Sequence, residues 1–162
     1  MPSTDAFDRV TDADTPLRAE QKLGGASAVA NWDLGPATLT SVTAWRFWNW
    51  NPSNDRDFTG LPITTVSANP SQQDQYSQEL RLGSNGRHAV DYTVGLFYFH
   101  QKIDTQGLQV QGPAASAWLL NPTGAGAKNP ATLNGLTARN TIRFTNTSAA
   151  LFGKLTWHVS DR

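Results

Sequence analysis

The 162-residue chain balances thirteen acidic against thirteen basic residues, and only 16% of it is charged. That balance lacks the basic excess of a nucleic-acid-binding surface, so no nucleic-acid partner is expected. With no cysteine there is no disulfide framework, thiolate metal site or thiol nucleophile, and no stretch approaches the ~20 consecutive apolar residues of a membrane-spanning helix.

Met1 to about Arg18 is polar and reads as loop. It opens Met1-Pro2-Ser3-Thr4-Asp5, with neither the basic nor the apolar region of a signal peptide. For an exported protein, that start leads us to expect an internal piece of a longer chain. Asp12-Ala13-Asp14 hints at calcium, but the later ligands and the glycine of an EF-hand loop are missing, and a solvated loop is expected.

The first strand is predicted over about Gln21 to Asp33, with Ala26, Ala28, Ala30 and Trp32 on one face and Ser27, Asn31 and Asp33 on the other. Leu34-Gly35-Pro36-Ala37 is a short turn. The second strand covers about Thr38 to Trp50, and both of its faces carry aromatics. A long polar connection, about Asn51 to Gln73, contains Pro52, Pro62 and Pro70. The third strand runs about Asp74 to Leu82 and the fourth about His88 to Ile103. Asn85-Gly86 between them favours a tight hairpin. A longer connection, about Asp104 to Arg139, has room for a short helix near Ala114 to Leu120. The fifth strand is about Thr141 to Val159, and Ser160-Asp161-Arg162 starts another turn.

Strands three and four set the question. Leu80, Leu82, Val90, Tyr92, Val94, Leu96 and Tyr98 share one face; Ser77, Glu79, Arg81, Asp91 and Thr93 share the other. In a soluble protein the apolar face buries against a second layer; in an outer-membrane barrel it faces lipid. Two patterns favour the barrel. The connections alternate short and long, as periplasmic turns and external loops do. Aromatics gather at both strand ends, with Trp32, Tyr92 and Trp157 near the short turns and Trp45, Trp48, Trp50, Tyr76, Tyr98 and Phe99 near the long loops. Arginine toward lipid costs ~2–4 kcal/mol at the midplane, which puts Arg46 on the lumen side and Leu39, Thr43, Trp45 and Phe47 on the lipid side.

No catalytic set emerges, and no enzyme activity is expected. His88, His100 and His158 lack metal-ligand spacing, with His100 and His158 predicted at opposite strand ends. Gly124-Ala125-Gly126-Ala127-Lys128 departs from a phosphate-loop pattern. The Trp45, Phe47, Trp48 and Trp50 cluster fits a sugar-stacking platform or an interfacial girdle, and matching aromatics at the other strand ends favour the girdle.

Asp74 to Arg81 (DQYSQELR) with Val94-Gly95-Leu96-Phe97-Tyr98-Phe99 resembles the barrel domain of TonB-dependent outer-membrane receptors. Trp32-Asp33-Leu34-Gly35, Leu39 to Arg46 and Ala150 to Trp157 resemble it too, in the order that family uses. The resemblance implies residues 1–162 are part of an all-β, antiparallel up-and-down meander of about five strands within a large transmembrane barrel in the cell outer membrane. It further implies uptake of a scarce nutrient such as an iron–siderophore complex. The partners would be outer-membrane lipid, the remainder of the barrel with its plug, and the TonB energy-coupling complex. The segments that carry the resemblance include neither the plug nor the terminal aromatic strand. No cofactor or metal is expected. Trp48, Trp50, Phe97 and Phe99, near the bases of the long loops, are the expected ligand contacts. The competing expectation is a soluble β-sandwich that binds carbohydrate, with its apolar faces packed together.

Overall fold

A computed structural model describes Asp5, Phe7, Asp8 and residues 10–86 and 88–159; the turn expected over residues 160–162 lies outside them. The chain is all-β, with six antiparallel strands in one sheet. The strands are β1 (Arg18–Asp33), β2 (Ala37–Ser53), β3 (Thr64–Ala68), β4 (Ser71–Ser84), β5 (Val90–Gln111) and β6 (Thr137–Trp157). β2 pairs β1, β3 and β4; β5 pairs β3, β4 and β6. The meander expected from sequence is therefore present, with one strand more than expected.

That extra strand corrects the sequence reading, which left residues 51–73 as loop. Val66, Ser67 and Ala68 pair with Val110, Gln109 and Leu108, and Ala68 also pairs with Ser53. The break before β4 falls at Asn69-Pro70. Proline has no N–H to donate to a ladder, but the Pro70 carbonyl still accepts from Gln106 N at 2.9 Å. The connection expected over 104–139 also shrinks. β5 continues to Gln111 and β6 begins at Thr137, and β3 pairs along Leu108 to Gln111. The expected short helix is present as α1 (Ala115–Leu119). No described helix is long and apolar enough to cross a membrane, which leaves strands unaddressed.

By internal contacts the chain divides into two units. The first comprises residues 1–22, 49–71 and 104–142. It holds the long connections and a small core of its own, with Ile63, Ala115 and Ser116 almost fully buried. Ser116 ties it together, its Oγ donating to Pro130 O at 3.1 Å and accepting from Leu133 N at 3.1 Å. Gly112 N and Ala114 N donate to Ile63 O and Pro62 O.

The second unit comprises residues 23–48, 72–103 and 143–162. Its short turns are linked by Asn85, whose Nδ2 donates to Asp33 Oδ1 and Gly35 O and whose Oδ1 accepts from Thr38 Oγ1 at 2.7 Å. Gly86 takes φ 79°, the left-handed conformation an Asn-Gly hairpin needs. Gly95 answers a different need. The Phe152 ring lies across it, and a Cβ there would meet Phe152 Cε1 at 2.7 Å.

Gly95→Ala is expected to lower stability by about 1–3 kcal/mol through overpacking. Phe152→Ala in the same chain should relieve that cost. A double-mutant cycle of thermal unfolding in detergent micelles checks this; strict additivity would contradict the close approach.

Candidate functional site

In β5 the apolar register is the exposed one. Tyr92, Val94, Leu96 and Tyr98 are 37–56% exposed, while Asp91, Thr93, Phe97 and Phe99 are half-buried and Gly95 is buried. Soluble sheets do the opposite, hiding the apolar face. The cause lies in side-chain packing along the polar register: Phe152 covers Gly95, Phe97 stacks on Phe99 with centroids 6.5 Å apart, and Asp91 meets His158 at 2.7 Å. Across the strands, Leu80, Leu96, Tyr98, Ala149 and Leu151 come together on one apolar groove. Gln78 is the polar exception beside it. Its Nε2 donates to Ser41 Oγ at 2.8 Å and its Oε1 accepts from Thr43 Oγ1 at 2.5 Å, so those groups satisfy one another.

Of the expected ligand contacts, Trp48 lines a groove with Leu23, Gly25 and Arg46. Phe97 belongs to the other groove, with Leu80 and Leu151, and Phe99 stacks beside it. Trp50 is a half-buried residue of the loop unit. Trp48 and Phe97 thus line different grooves.

Another groove lies within the loop unit. Arg56, Ser67, Asn69, Gln109, Arg139 and Asn140 line a polar groove of about 300 Å³. β3 supplies Ser67, β5 supplies Gly107 and Gln109, and β6 supplies Arg139 and Asn140. Gly107 admits the Asn140 and Asn69 side chains against its backbone. Both arginines are exposed, and among the described residues neither pairs with an acidic side chain. Two guanidinium forks with amide donors beside them suit a carboxylate- or phosphate-bearing ligand. Sequence reading missed this groove because Arg56 and Arg139 are far apart in the chain. Only the pairing of β3 with β5 and of β5 with β6 brings them together.

The histidines fall in two places. His100 Nδ1 contacts Thr147 Oγ1 at 2.9 Å, apart from the other two. His158 and His88, however, both reach Asp91, at 2.7 and 3.6 Å. Pairing the start of β5 with the end of β6 forces that meeting. Ser84 Oγ donates to Asp91 rather than to an imidazole, so the group lacks the Ser–His contact a nucleophilic relay requires.

Replacing Arg56 and Arg139 together by alanine should weaken binding of a polyanionic chelate such as ferric citrate at least ~10-fold, about 1.4 kcal/mol. Binding should also weaken with added salt. Tryptophan fluorescence quenching reads both, and unchanged affinity would remove the groove as a binding site.

No protein-family model matches the chain, and neither does any curated protein or solved structure.

Proposed function

We propose that this chain is a section of a large outer-membrane β-barrel of the TonB-dependent receptor type. In that role it serves the energised uptake of a small anionic nutrient, an iron–siderophore complex or similar chelate. The observation that carries the reading is the inverted exposure of β5, with leucine, valine and tyrosine open and the polar register packed. A face of that kind suits hydrocarbon, where apolar side chains need no protein cover. Leu151 and Leu155 of β6 are more exposed still, at 75% and 76%.

Strand length supports the same reading. Apart from β3, the strands run from 14 to 22 residues, against ~9–11 needed to cross a bilayer. A receptor barrel whose strands continue past the lipid would use the surplus to carry loops. The backbone argument is stronger. Only helices and closed barrels satisfy every N–H and C=O in lipid. Among the described residues β1 pairs only with β2 and β6 only with β5, so each leaves an edge that further barrel strands would pair. The plug, the energy-coupling complex and outer-membrane lipid are the partners this reading requires.

The groove of Arg56 and Arg139 supports an anionic ligand. The residues of this chain would bind and orient it and make no covalent bond. A carbohydrate-binding sandwich is the less favoured reading, since it needs two packed layers and the strands here form one sheet.

Expressed alone, the chain should require detergent or lipid to stay dispersed and should associate through its open edges without them. Sedimentation with and without dodecyl maltoside tests this. A detergent-free soluble monomer with a cooperative melt would overturn the barrel reading and return the sandwich.

A further inference from the structure

We propose that Asp14, Asp55 and Asp57 hold a divalent cation, calcium by their ligand chemistry, which clamps the N-terminal segment onto the loop between β2 and β3. One carboxylate oxygen from each of the three residues lies within 4.8 Å of the other two. All three belong to the loop unit, so the inference does not rest on the receptor reading.

The cluster alone would be ordinary. Asp55 makes it a site. That residue is only 4% exposed, and its Oδ2 is buried with no hydrogen-bond partner. Its other oxygen accepts only a long bond, from Asp57 N at 3.3 Å. An ionised carboxylate oxygen is not left buried and unpaired without a compensating charge. Its neighbours here are two further carboxylates, and among the described residues no lysine, arginine or histidine forms an ion pair with any of the three.

The surroundings are rigid where a cation site needs rigidity. Asp57 Oδ1 accepts from Thr59 N at 3.2 Å and Thr59 Oγ1 at 2.9 Å, and its Oδ2 accepts from Thr64 N at 3.0 Å. Thr15, 6% exposed, places its hydroxyl 3.1 Å from Asp14 Oδ1 and 3.2 Å from Thr64 O. Asp12 packs against Gly60 of the same loop. The donors are all oxygen, which selects a hard cation. Calcium takes six to eight such ligands at ~2.3–2.6 Å in adaptable geometry, whereas magnesium demands a near-ideal octahedron at ~2.0–2.1 Å. Carboxylates from two separate segments, one of them exposed, fit the adaptable ion.

The test is calorimetric titration of calcium chloride into the full chain, dispersed in detergent where that is needed. One saturable site per chain is expected, with affinity reduced at least ~10-fold by Asp55→Asn, the scale of losing one charged ligand. Asp14→Asn leaves the buried part of the loop untouched and should also weaken binding. It carries the test alone if Asp55→Asn fails to fold. Glu79→Gln, on another strand, should change nothing. Calcium should also slow tryptic cleavage after Arg56 in the native chain. The proposal is overturned by a titration without a saturable site, or by one that Asp14→Asn leaves unchanged. Equal or tighter binding of magnesium chloride would overturn the assignment to calcium.

Discussion

The antiparallel backbone ladder is the interaction on which everything else in this chain depends. Among the described residues, only Ala37, Pro52, Ile63, Ala115 and Ala127 are buried apolar side chains. A chain of this length normally draws its stability from a much larger hydrophobic core. Here backbone pairing joins β1 through β6, with the outer edges of β1 and β6 left open, and the side-chain faces are left for the surroundings to cover. In the proposed barrel, hydrocarbon would impose that division of labour, since it holds no water to satisfy an open backbone group. It also explains the polar pairs on the strands, Gln78 with Ser41 and Thr43 and Thr40 with Asn31. Each keeps a hydrogen-bonding group of the strands occupied.

The loop unit follows another logic. Its buried residues are a mixture of small apolar and polar groups, and its order comes from side chains that bond to backbone. Ser116 bridges α1 to the turn at Pro130, and Asp57 gathers the backbone of Thr59 and Thr64. Such bonds hold a loop in one conformation at modest cost in buried area. A preorganised loop loses less entropy when a ligand arrives, which suits a capture surface. The arginine groove and the aspartate cluster both lie in this unit, and both are made from residues distant in sequence.

How much of this could be read from sequence differs between the two units. Alternation of Leu80, Leu82, Tyr92, Val94 and Leu96 located β4 and β5 and assigned their faces, because the side-chain period of a strand is two. Asn85-Gly86 located the hairpin through its backbone requirement. Strand ends were less legible: Gln106, Gln109 and Gln111 give no apolar signal, and their pairing is visible only once β3 and β6 lie alongside. β3 itself was hidden by Pro70, which reads as a breaker but keeps its carbonyl in the ladder. The site was harder still. Asp14 has no full ligand set near it in the sequence, and its neighbours Asp55 and Asp57 come from a loop about forty residues away in the chain. Aromatic residues drew attention at Trp48 and Phe97, yet aromatic content reports packing as readily as binding.

The central claim is that the exposed apolar register of β5 faces lipid. The chain has no native cysteine, so Leu96→Cys and Thr93→Cys can each carry a single spin label. In lipid vesicles, collision with dissolved oxygen and with a water-soluble nickel chelate distinguishes hydrocarbon from water at each position. The account predicts that the label at 96 meets oxygen and is shielded from nickel, while the label at 93 shows the reverse preference. Equal access of nickel to both positions would contradict it.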